Sequence, residues 1–143
     1  MIMNKLRLFL KYLFLWNIGG LTYYIIELLY RGYSHWTMYL LSAILFILIG
    51  LINEFLSWDT PFLIQCVIGS VFVTIFEFFT GCLVNLWLRW NVWDYSNIFG
   101  NILGQICLPF SLLWIVLSGF AIILDDYLRY YFFNEEKPHY KFL

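Results

Sequence analysis

Four long runs of apolar residues divide the chain, each closed by polar or charged positions. They lie near 12–31, 36–56, 62–88 and 106–124. Within each run the apolar positions are continuous and do not alternate, which predicts helices and argues against a β-barrel. A helix rises about 1.5 Å per residue, so about 20 residues cross a hydrocarbon layer about 30 Å thick. The second and fourth runs have that length. The third is longer and is expected to tilt or to emerge at one end. The first is long enough only if Glu27 lies inside it. The pattern predicts an all-α fold, a polytopic membrane protein built as a four-transmembrane-helix bundle, in a single domain over 1–143.

The stretches between the runs have their own character. Residues 89–105 (RWNVWDYSNIFGNILGQ) mix polar and aromatic types, as an interfacial loop does. Residues 125–143 form a charged, amphipathic tail. Its first part is expected to continue the fourth helix to about Phe133, with Asp125 four residues before Arg129. Pro109 suits a first helical turn, where a missing N–H costs little. The N-terminal run has no short small-residue cleavage end and flows into further apolar sequence, so it reads as a span and not as a cleaved leader.

Composition strengthens this picture. The hydrophobic set is 63% of the 143 residues, aromatics are 23%, and Asp, Glu, Lys and Arg together are 12%. Soluble chains carry about twice that charge. A globule this small has too little interior to hide so much apolar surface, so its surroundings must be membrane lipid. A formal net charge of −1 gives no footprint for nucleic acid. Lys5, Arg7, Lys11, Arg129, Lys137 and Lys141 flank the outer ends of the first and last runs, against Arg31 and Arg89 alone in the first and third loops. By the positive-inside rule both termini are cytoplasmic and 89–105 lies outside. Cys66, Cys82 and Cys107 sit in apolar runs without metal-ligand spacing. Nucleotide-binding, zinc-hydrolase and serine-hydrolase motifs are missing, so the sequence argues against an enzyme and calls for no cofactor or metal.

Charges at membrane depth are costly and therefore informative. Asn17, Gly20, Tyr24, Glu27 and Arg31 recur every three or four residues and make one polar stripe. Glu77 lies about 24 Å above Pro61 along its helix. It shares a face with Cys66, Ser70, Val73, Thr74, Thr80, Gly81 and Val84, while Phe72, Phe76, Phe79, Leu83 and Leu86 lie on the other. The small face should meet other helices and the aromatic face should meet lipid. Helix rise and topology put Glu27 and Glu77 at matched depth near the outer side, with Arg31 and Arg89 flanking them. Trp93, Asp94 and Tyr95 lie just above, Asp94 as an Asx-type turn and the aromatics as flat surfaces with a polar handle. These seven residues make one candidate pocket. An internal ion-pair cluster, a ligand site and a shared-proton site all remain open readings of it.

The run Trp93-Asp94-Tyr95-Ser96, then Gly104-Gln105-Ile106-Cys107-Leu108 and Ser111-Leu112-Leu113-Trp114, resembles the Putative ABC-transporter type IV family of small bacterial membrane proteins, the CmpB-like permeases. Tyr24, Glu27, Arg31 and Gly32 resemble that family's first helix and following turn, and Glu77 with Gly81 its E-x-x-x-G helix. The resemblance covers about residues 20–125. The turn after Arg31 departs from the family pattern, reading Tyr33-Ser34-His35-Trp36 without its G-P and P-I-Y-G elements. The resemblance implies a helical bundle in the bacterial cytoplasmic membrane and a permease partnered by a separate ATPase subunit. It implies no particular substrate. Four spans are few for a whole permease, so a homo-oligomer or a partner is expected. The competing class is a non-transporting membrane protein: an assembly subunit, a lipid-interacting protein or a holin-like protein.

Overall fold

The computed structural model describes residues 1–142. Four helices are long and apolar enough to cross a membrane: α1 (Ile2–Arg31), α2 (Trp36–Phe55), α3 (Phe62–Trp87) and α4 (Leu108–Phe133). The fold is all-α and polytopic, a four-helix membrane bundle. A turn at Leu51 interrupts α2 near its end, and α3 changes from α-helix to a wider π-helical turn at Cys82–Trp87. Helix α1 packs along α2, and α3 along α4, while α2 also reaches both α3 and α4. Helices α1 and α4 come together mainly through side chains, Phe14 against Phe132 and Phe133 near one end and Tyr23 against Trp114 toward the other.

Helix α1 starts ten residues before the apolar run, which opens at residue 12. Its first nine residues, Ile2–Leu10, are all exposed and carry Lys5 and Arg7, so this end of the helix projects beyond its packing against the other helices. It stops at Gly32, whose φ of 79° is left-handed, and the Gly32 N–H caps the Leu28 carbonyl at 2.9 Å. Helix α4 begins with Pro109 in its first turn and runs on to Phe133, ending at a left-handed Asn134. The charged positions 125–129 are thus helical and belong to the bundle.

Lipid tails are as apolar as leucine, so packing here relies on close approach and on interhelical hydrogen bonds. On α3 the buried residues are Gln65, Cys66, Gly69, Ser70, Val73, Glu77, Gly81 and Val84, and Phe79 is 66% exposed. The small face meets α4, and on the other face Phe76 and Phe79 are exposed as a lipid-facing surface would be, whereas Phe72, expected beside them, is half-buried against the core. Ser70 Oγ donates to the Ser111 carbonyl at 2.6 Å, and Thr74 and Ser111 share a hydroxyl bond at 3.0 Å. The polar stripe of α1 turns to α2, where Tyr39 donates to Asn17 Oδ1 at 2.6 Å.

At the end that carries both termini, a second polar cluster closes the bundle. Arg129 is 2% exposed and donates from Nε to Asp125 at 2.7 Å, while Asp125 is wholly buried. Asn53 and Tyr140 both donate to Asp126 Oδ2, at 2.6 and 2.8 Å. Lys11 pairs with Glu135, tying α1 to the segment after α4. The tail then lies against the α2–α3 turn, with the Phe62 N–H on the Lys141 carbonyl at 2.6 Å and Trp58 5.0 Å from the His139 ring. Burial and the Asp126 carboxyl push the Tyr140 phenol well above its ordinary value, so it stays a donor.

Candidate functional site

The site lies at the opposite end of the bundle, where the segment between α3 and α4 covers the helix ends. The π-helical turn finishes α3 with the Leu88 N–H on the Leu83 carbonyl and the Trp90 N–H on the Val84 carbonyl, at 2.9 and 2.8 Å. Such turns widen a helix and recur at functional positions. Here the turn places Asn85 as the anchor of the loop. Asn85 Oδ1 accepts from the N–H groups of Val92 (2.7 Å) and Trp93 (3.3 Å), and its amide donates to Gln105 Oε1 at 2.8 Å. Trp93 is buried and donates from its indole to the Gln105 carbonyl at 2.9 Å. A Cβ on Gly81 would come within 2.6 Å of Gln105 Oε1 and 2.9 Å of Trp93, so only glycine lets the loop lie this close on α3.

The loop thereby aims Tyr95 downward. Its hydroxyl donates to Glu77 Oε1 at 2.9 Å, and its ring stacks on Phe110 at 4.9 Å. The other carboxylate oxygen, Oε2, accepts from the Trp114 indole at 3.0 Å. Glu77 is 3% exposed. Burial and the neighbouring Glu77 carboxyl raise the Tyr95 phenol far above its usual range, so Tyr95 remains a donor at any physiological pH.

Glu27 is held differently. Arg31 Nη2 donates to both of its oxygens, at 2.9 and 3.1 Å, and Ser34 Oγ to Oε2 at 2.7 Å. Arg31 Nη1 also donates to the Val92 carbonyl at 3.1 Å and so ties α1 to the loop. The Glu27 charge is neutralised where it stands, whereas Glu77 receives hydrogen bonds from two neutral groups. The two acids belong to one region: Tyr23, one turn below Glu27, has its ring 6.0 Å from that of Trp114.

Five of the seven candidate residues, Glu27, Arg31, Glu77, Trp93 and Tyr95, thus come together through α1, α3 and the loop. Arg89 and Asp94 do not join them. Arg89 is exposed, with a left-handed φ of 56° that turns the chain back over the end of α3. Asp94 is exposed and accepts from the Ser96 N–H at 2.8 Å, an Asx-type turn. Hydrogen bonding from Ser96 holds its carboxyl below the usual range. Trp114, Tyr23, Ser34, Asn85 and Gln105 join the site without having been singled out as chemistry. Only their neighbours in space reveal them, because each reads locally as an ordinary span or loop residue.

Below Glu77 lies a cavity of about 180 Å³. Glu77, Trp114 and Tyr23 line it, with an apolar wall that includes Met38, Leu45 and Ala121. Its exposed wall residues are Thr22 and Ile26 on α1 and Phe120 and Leu124 on α4, so it opens toward lipid through the gap between those two helices. Among the described residues no group of three His, Cys, Asp or Glu side chains is placed to hold a metal ion.

Residues 3–139 match the family described as Putative ABC-transporter type IV. No curated protein and no solved structure matches the chain. The match spans nearly the whole sequence, and the chain belongs to this family.

Proposed function

We propose that this family member is the membrane-spanning subunit of a transporter and that Glu77 is the residue that meets the transported solute. One observation carries the reading. Glu77 is a carboxyl group buried within a membrane span, held by two neutral donors, at the head of a cavity that opens sideways. A buried acid with a structural role is normally matched by a base, as Asp125 is by the buried Arg129 and Glu27 by the half-buried Arg31. An acid left without one marks a solute or ion path. The chain has no nucleotide-binding motif, so energy would come from a separate ATPase subunit. Four spans would make a complete path as a homo-oligomer or with that partner.

The test is purification from native membranes in mild detergent, followed by reconstitution. An ATP-hydrolysing subunit is expected to copurify, and its solute-stimulated turnover in liposomes should fall at least tenfold in Glu77→Gln. A chain that purifies without any ATPase and supports no ATP-dependent flux would favour the second reading, a lipid-interacting membrane protein. The sideways opening of the cavity is the observation that supports that alternative.

A further inference from the structure

The shape and chemistry of the cavity specify more than a generic solute. We infer that it binds a single-chain amphiphile with a quaternary ammonium head, the chain in the cavity and the head against Glu77. The inference rests on reading Glu77 as the site carboxylate, but it concerns binding and does not need transport.

Three features converge on this occupant. The first is volume and access. A cavity of about 150 Å³ lined by apolar side chains takes a benzene-sized guest, and this one is about 180 Å³ and open to the bilayer between α1 and α4. A length of alkyl chain enters it from the lipid without crossing water. The second is charge. A carboxylate has about four lone-pair sites, and Tyr95 and Trp114 occupy two of them. Glu77 lines the cavity with no cation bonded to it, so a positive head is complementary. The third is the aromatic surround. Tyr23 and Trp114 line the same end of the cavity with ring centroids 6.0 Å apart. Aromatic faces next to a carboxylate are the usual surroundings of a quaternary ammonium, which has no N–H to donate and is held by cation–π attraction. A neutral alkyl chain would gain nothing from Glu77, and a carboxylate-headed one would be repelled by it.

The competing sites on the molecule carry less. The cluster around Arg129 has acids on every side of its one buried base and is closed by the tail. The shallow groove along Phe62, Cys66, Gly119 and Phe120 has no polar group to select an occupant.

The experiment is equilibrium binding of radiolabelled dodecyltrimethylammonium to the full chain in maltoside micelles. One saturable site per chain is expected. Dodecanol, the neutral competitor of equal chain length, should not displace the label at matched concentration. Glu77→Gln should weaken binding at least tenfold, and Ala121→Leu, which fills the cavity from α4 while leaving Glu77 in place, should do the same. Absence of saturable binding, equal displacement by dodecanol, or undiminished binding in both variants would overturn the inference. Should Glu77→Gln fail to fold, Ala121→Leu and the dodecanol comparison decide it alone. Saturable, Glu77-dependent binding with no ATPase partner and no flux would sink the transporter reading and leave the amphiphile site standing. Flux that depends on Glu77 but is indifferent to the ammonium probe would do the reverse.

Discussion

At Glu77 the side chains around the acid determine which substitutions the fold tolerates. The Trp114 indole is only a donor, whereas the Tyr95 hydroxyl donates or accepts. Glutamine therefore fits, its carbonyl taking the Trp114 N–H and its amide donating to Tyr95. Glu77→Gln should change stability by no more than about 1 kcal/mol, the scale of one rearranged hydrogen bond, while removing the charge. Glu77→Leu strands both donors and should cost about 1–3 kcal/mol for each. Thermal unfolding in detergent separates the two; equal losses in Gln and Leu would show that the charge itself holds the fold. Arg129 and Asp125 give the contrasting case, since the Arg129 Nε–Asp125 bond buries both charges. Arg129→Met leaves Asp125 buried without its base and should destabilise by about 3–5 kcal/mol, and adding Asp125→Leu should restore most of it. A double variant no better than the single one would show that the pair does not act as a unit.

Between α1 and α2 the decisive feature is how near the backbones come. A Cβ on Gly19 would lie 2.7 Å from Phe46 Cδ1 and closer still to the ring's attachment, and one on Gly20 would lie 2.6 Å from Tyr39. Overpacking of a close interface costs about 1–3 kcal/mol. Gly19→Leu should lower the unfolding midpoint accordingly and pry α1 from α2, whereas Leu21→Ala, exposed on the outer face of α1, should change it by about 0.5 kcal/mol or less. The π-helical end of α3 is a second element-scale device, because Asn85 holds the two loop N–H groups that lead to Tyr95. Asn85→Ala should loosen that loop. Amide exchange at 92–95 should speed up about tenfold for each 1.4 kcal/mol lost, with the helices unaffected. Unchanged exchange would mean that Trp93 and Gly104 hold the loop without Asn85.

The whole molecule has both termini at one end, as the Lys11–Glu135 pair requires. Six basic residues belong to that end or its flanks and two to the other, and from this bias we propose, on the positive-inside rule, that the termini and the Arg129 cluster face the cytoplasm and the Glu77 loop the outside. Single cysteines at Asn97 and Thr60, in a background without Cys66, Cys82 and Cys107, check this directly. A membrane-impermeant maleimide should label Asn97→Cys on intact cells and reach Thr60→Cys only after lysis. The reverse pattern would invert the topology and move the Glu77 end to the cytoplasmic side. The cavity runs from the Glu77 end into the bundle, and the tail closes the opposite end. The cavity's exposed wall, Thr22 and Ile26 on α1 with Phe120 and Leu124 on α4, favours exchange with the bilayer there over a central channel.

What the sequence determined by itself is whatever the bilayer imposes residue by residue. Hydrocarbon tolerates neither open backbone groups nor unshielded charge, so continuous apolar runs fixed four helices, and Glu77 opposite Phe76 and Phe79 fixed which side of α3 is buried, although Phe72 turns partly into the core. The Glu27–Arg31 pair was legible because its partners lie one turn apart on one helix. The partners of Glu77 were not, because Tyr95 and Trp114 are 18 and 37 residues away and no local spacing announces them. Arg89 and Asp94 were grouped with the pocket on depth alone, and depth says nothing of rotation: the left-handed turn at Arg89 and the Asx turn at Asp94 direct both outward. The Arg129 cluster showed in sequence only as an i,i+4 pair at the start of a charged tail. Its burial depends on the packing of α2 and on the return of Tyr140, contacts that join 53, 126 and 140. Tertiary structure alone decided that Glu77 is left to neutral donors, because which side chains reach it depends on how α4 and the loop pack against α3 and not on spacing along the chain.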